Sequence, residues 1–171
     1  MKAVVAHKRM RRGLLTGMIA VAAVTLGAGA QAASTTGTAS ATVIVPMTIT
    51  AGTPLNFGTF AANSTGGTVA ISTAGARSAT GTVALSSTTP GVAGTFNVTG
   101  NASSTFAITG PGPFNVTSGA NTMSVSLTGL ATTGTLSAGT ATILVPGTLT
   151  VGANQAPGSY TGTYTMAVEY N

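Results

Sequence analysis

The chain has 171 residues with six Lys or Arg, one acidic residue and one His, a formal charge of +5. Lys2, His7, Lys8, Arg9, Arg11 and Arg12 all lie in the first twelve positions, so Arg77 and Glu169 are the only charged side chains beyond them. That remainder cannot neutralise a series of phosphates, so nucleic acid is excluded as a partner. It also offers no zinc site, thiol nucleophile, Ser–His dyad or pair of carboxylates, so neither an enzyme nor a cofactor is expected.

The charged start is followed by an apolar run over Leu14–Leu26 and by Ala30-Gln31-Ala32, with small residues at the two positions a signal peptidase reads. That order predicts a secretory signal peptide over residues 1–32, with Ala30 and Ala32 as its cleavage motif. The run is shorter than the roughly 20 residues a membrane span needs, and Thr and Gly interrupt every later apolar run. Arg11-Arg12 allows twin-arginine export, but the flanking residues favour general secretion. The mature chain is expected to be Ala33–Asn171, working outside the cytoplasm without a membrane-spanning segment.

Residues 33–40 are small and polar and predict a flexible mature N-terminus. From Thr42 the period is two, with Val43, Val45, Met47 and Ile49 on one face and Pro46 in the middle. Proline cannot donate to a ladder, so this strand is bent, at an edge or split. Short alternating groups follow at Leu55, Phe57 and Phe60, at Val69 and Ile71, and at Val83 and Leu85. The series continues with Phe96 and Val98, Phe106 and Ile108, Phe114 and Val116, and Met123, Val125 and Leu127. Ile143 and Val145, then Leu149 and Val151, flank Pro146. The last strand places Tyr160, Tyr164, Met166, Val168 and Tyr170 on one face, which reads as core packing rather than a sugar-binding stripe.

Thr and Gly are abundant, at 32 and 20 residues of the mature chain, and the alternation decides between strands with tight turns and a disordered tail. No helix is expected after the leader. Short strands at about 8–12-residue spacing predict an all-β, antiparallel β-sandwich over residues 41–171. Ala41–Gly52 (ATVIVPMTITAG) and Ala141–Gly152 (ATILVPGTLTVG) share seven of twelve positions, and read as two equivalent, Pro-broken edge strands or as convergence in a Thr- and Val-rich chain. FNVTG at Phe96 and FNVTS at Phe114 suggest a repeated strand type. Without Lys, and with almost no charge, exposed strand edges are unguarded and tend to pair with a neighbour.

The ATVIVPMTIT strand, the LNFG element at Leu55–Gly58 and the ending PGSYTGTYTMAVEYN together resemble the domain of unknown function 4402 family of secreted bacterial proteins. The layout is similar to spore-coat U-type and archaic chaperone–usher pilins, including an aromatic residue at the penultimate position, Tyr170. Those pilins commonly carry a disulfide, and this chain has no Cys. The resemblance implies an immunoglobulin-like sandwich lacking one strand, which a periplasmic chaperone and then the N-terminal segment of another copy would supply. An outer-membrane usher would be the second partner, and a surface fimbria reached through the periplasm the destination. The candidate donor is Ala39–Ile49, with Val43, Val45, Met47 and Ile49 inserted. Alternatively this is the sandwich's own first strand, or residues near Thr38–Val45 leave while Met47–Thr50 stay, with Pro46 as the break. A monomeric secreted module binding polysaccharide is the other function that the composition allows.

Overall fold

The computed structural model describes residues 31–171, so residues 1–30 of the expected leader, including Ala30 of its cleavage motif, lie outside the described residues. The chain divides into two units, Met1–Ser40 and Ala41–Asn171. Of the first, residues 31–40, including Ala32, are exposed and hold neither helix nor strand. The second is all-β. Its first strands are β1 (Thr48–Ala51), β2 (Phe60–Ala61), β3 (Gly67–Ile71), β4 (Arg77–Gly81) and β5 (Ala84–Leu85). Then come β6 (Gly94–Thr99), β7 (Thr105–Thr109), β8 (Phe114–Ser118) and β9 (Asn121–Ser126). The last are β10 (Thr133–Thr135), β11 (Thr140–Val145), β12 (Gly147–Val151) and β13 (Ala167–Tyr170). Among the described residues no helix is long and apolar enough to cross a membrane.

All pairings are antiparallel. A five-stranded sheet has the order β4-β3-β12-β9-β8, two three-stranded sheets have the orders β1-β6-β11 and β10-β7-β13, and β2 pairs with β5. β7 and β8 pair in succession with β10 and β9, so residues 105–135 form one long, bent hairpin. The C-terminal segment runs along its other side, from Thr161 opposite Thr117 to Tyr170 opposite Phe106. The result is a β-sandwich. Val98, Ile143 and Val145 from the β1-β6-β11 sheet pack with Phe106 and Ile108 of β7, Leu136 and Met166. Val69, Met123, Val125, Leu149 and Val151 line the inner face of the five-stranded sheet. Leu55 and Leu127 touch both clusters and join them into one core.

The period-two pattern produces this directly. In β9, Met123 and Val125 are buried while their neighbours are not, and Leu149 and Val151 of β12 repeat the arrangement. Threonine occupies the outer faces, where hydroxyls pair across strands: Thr48 with Thr99, Thr68 with Thr80 and Thr128 with Thr148, each at 2.7 Å. Such pairs support a sheet whose outer face holds no apolar partner.

Four expectations need correction. The two similar proline segments are not equivalent edge strands. Val145 pairs with Gly94 in one sheet and Gly147 with Ile71 in another, so buried Pro146 sits where the chain changes sheets and needs no ladder hydrogen bond. β12 is central in its sheet, whereas β1 is an edge strand. Secondly, Thr42–Met47 forms no strand: β1 starts at Thr48, two residues past Pro46. Thirdly, only Ala167–Tyr170 of the expected last strand is regular, although its Tyr, Met and Val side chains do reach the core. Finally, β4 and β10 were unforeseen. Their sequences, RSATG and TGT, hold no apolar alternation, and each is recruited by a neighbour that does. Gly134 of β10 leaves the space that the Phe106 ring fills, since a Cβ there would collide with it.

Candidate functional site

Between residues 54–62 and residues 155–164 runs a groove of about 890 Å³. Its floor is the inner face of the five-stranded sheet, with half-buried Phe114 and Val116 of β8 nearest its surface and buried Met123 and Val125 of β9 and Leu149 of β12 beneath. None of its lining side chains is charged.

The first wall contains the LNFG element. Leu55 and Phe57 turn into the core, while both backbone groups of Asn56 bond Val92, N–H to carbonyl at 2.9 Å and the reverse at 2.7 Å. The Asn56 side-chain oxygen accepts from the Gly58 N–H at 2.7 Å, a local turn that short polar side chains favour. Gly58 adopts φ 69°, and a Cβ there would strike the Arg77 guanidinium and the Thr89 carbonyl. Residues along an extended chain direct their backbone groups alternately to opposite sides. Because both groups of Asn56 go to Val92, the planar peptides on either side of it turn the Leu55 carbonyl and the Phe57 N–H the other way, where no strand among the described residues pairs with them, while the Phe57 carbonyl is held by Arg77.

The second wall has the same property. Thr161 exchanges both backbone hydrogen bonds with Thr117 of β8, at 2.8 and 3.0 Å. Tyr160 and Gly162 therefore direct their backbone groups away from β8. Gly162 permits this close approach, since a Cβ would crowd the Asn115 carbonyl and Val116. The Tyr160 hydroxyl donates to the Ala156 carbonyl and accepts from the Gln155 side-chain amide, each at 2.8 Å, which shapes the loop above. An apolar floor thus lies between two strand-like walls, each bonded along one edge only.

Arg77 holds the first wall in place. Its Nη1 donates to the carbonyls of Phe57, Thr59 and Thr89 at 3.1, 3.2 and 3.1 Å, and its Nη2 to that of Ser86. Arg77 therefore serves backbone carbonyls, while Glu169 stands exposed on β13. At the groove's end Tyr164 lies between the two phenylalanines of the repeated FNVT strands. Phe96 meets it edge-on with centroids 5.9 Å apart, and Phe114 stacks on it at 5.1 Å. Burial pushes the Tyr164 phenol's pKa up.

The chain belongs to the family described as Domain of unknown function (DUF4402). The match covers residues 47–170, most of the chain. The curated proteins and the solved structures yield no match. The family match starts at Met47, which is also the first residue of the unit to pack on the core. Met47 and Ile49 pack against the first cluster of their own chain, whereas Val43 is 96% exposed, Ile44 47% and Val45 55%. The structure thus separates the four candidate donor side chains into two outside the core and two inside it. Tyr160 joins the second cluster, and Tyr164, Met166, Val168 and Tyr170 the first. Sequence reasoning missed the roles of Arg77 and Asn56, whose partners are all main-chain groups.

Proposed function

We propose that the protein is a non-enzymatic structural subunit of a bacterial surface fimbria or coat, in which an N-terminal segment of one copy adds as a strand to the groove of the next. The observation that carries this reading is the groove itself. An apolar floor flanked by two half-bonded walls suits an extended peptide, whose backbone would bond the Leu55 carbonyl and the Phe57 N–H on one side and Tyr160 and Gly162 on the other. A compact polar ligand would leave those edges unsatisfied. The exposed Val43, Ile44 and Val45 supply a segment of matching chemistry in every copy.

The layout of the first strand, the LNFG element and the last strand, which resembles that of chaperone–usher pilins, supports the same reading and would add a periplasmic chaperone that covers the groove before assembly and an outer-membrane usher. The leader pattern supports export. No cofactor is required, because association needs only burial and backbone hydrogen bonds. The test is protein sheared from producing cells, run on a denaturing gel with and without boiling and viewed by negative stain. A ladder that collapses on boiling, with thin filaments, is expected. A single monomer band without filaments would overturn the proposal and favour a monomeric polysaccharide-binding module.

A further inference from the structure

Three consecutive large apolar side chains, Val43, Ile44 and Val45, stand exposed directly before a segment that enters the core. The change takes place within two residues, and a side chain from the far end of the sequence is bonded at that point. Tyr170, last but one, ends β13 opposite Phe106. Its phenol accepts a hydrogen bond from the Asn101 N–H at 2.6 Å and donates one to the Val45 carbonyl at 2.8 Å. Gly100 makes the seat: a Cβ there would collide with the phenolic oxygen and lie 3.2 Å from the ring carbon that bears it. Pro46 follows, with no N–H to continue a ladder, and from Thr48 the chain is paired to β6. One phenol therefore ties the C-terminal strand, the β6–β7 turn and the point where the N-terminal segment meets the body.

We infer that Tyr170 sets the boundary between residues given to a second copy and residues kept, so that the segment offered is Ala41–Val45 and the body begins at Met47. This rests on the strand-addition reading and gives it a register. Ala41–Val45, ATVIV, corresponds to Ala141–Val145, ATILV, and both precede a proline. In β11 Ile143 and Val145 are buried while Thr142 and Leu144 are exposed. The same alternation turns Val43 and Val45 to the floor of the partner's groove and leaves Thr42 and Ile44 outside. Holding the Val45 carbonyl keeps the segment presented at one place, which lowers the ordering cost of capture. Tyr170 is a positioning residue in this scheme and never enters the groove.

The experiment uses the exported full-length protein and three variants. Tyr170→Phe removes only the hydroxyl. Amide exchange at residues 47–49 should rise about tenfold, the factor that corresponds to one net hydrogen bond, while β7 and β9 keep their protection. Assembly should slow by a similar factor. Val43→Asp and Ile44→Asp lie on an exposed segment, so both fold; Val43→Asp should abolish multimers and Ile44→Asp should leave them. If Tyr170→Phe assembles normally with unchanged exchange at 47–49, or loosens the whole body equally, the boundary role is overturned. If Ile44→Asp abolishes multimers and Val43→Asp does not, the register is overturned while strand addition stands. If the unaltered protein stays monomeric throughout, strand addition falls and the inference with it.

Discussion

Replacing Arg77 by Met keeps an unbranched stem of similar bulk and removes every donor. Four carbonyls lose a partner, but they do not count equally. Those of Thr59 and Thr89 are exposed and recover water, whereas the bonds to Phe57 and Ser86 are partly buried. A hydrogen bond from a charged group contributes about 1.5–3 kcal/mol net, and Nη1 divides its donation among three acceptors. Two partly buried bonds, one of them shared, give an expected loss of about 2–4 kcal/mol. For a domain of this size that lowers the melting temperature by roughly 6–15 °C. Urea unfolding followed by far-ultraviolet dichroism reads it directly. Arg77→Lys should recover only part, because an ammonium presents one point of donation where the guanidinium spans two nitrogens. An unfolding free energy for Arg77→Met within about 0.5 kcal/mol of the unaltered protein's would refute the assignment of Arg77 as the anchor of the groove wall.

Gly134→Val should cost about 1–3 kcal/mol by forcing the Phe106 ring from its place, measured as a lower calorimetric melting temperature. Phe106→Ala, at 1% exposure, should cost about 3–5 kcal/mol in the same assay. The raised Tyr164 pKa means that the folded protein holds this proton to higher pH than the unfolded chain. Its contribution is fully present below about pH 10 and declines as pH rises through the unfolded and then the folded value, a decline that Tyr164→Phe should remove from a stability–pH profile. With no charged side chain lining the groove, multimers should survive equally at low and at molar salt in sedimentation runs, since screening has no pair to weaken.

Much of the fold could be read before the structure, and the reason is periodicity. Phe106 and Ile108, Met123 and Val125, and Leu149 and Val151 show their buried face in the sequence because a sandwich strand has one apolar side. What could not be read depends on partners rather than on the residues themselves. Thr133–Thr135 pairs because Phe106 needs a neighbour that leaves it room, and nothing in TGT announces that. Pro146 is legible as a break, but whether it ends an edge or joins two sheets is decided by β3, β6 and β9. The groove has no signature in the sequence. Its walls depend on Asn56 with Val92 and Thr161 with Thr117, main-chain pairings that no side-chain pattern specifies. The Tyr170 bond to Val45 spans nearly the whole chain and left no mark beyond an aromatic residue near the end.

Strand addition, as proposed, places the N-terminal segment of one copy in the groove of another. The chain contains no cysteine, so a pair introduced as Val43→Cys and Val116→Cys is the sole source of disulfides. Mild oxidation of the purified double variant, read on a non-reducing denaturing gel, measures that proximity directly. A ladder of covalent multimers that reduction returns to monomer is expected. A product that stays monomeric, whether closed within one chain or not cross-linked at all, would contradict it.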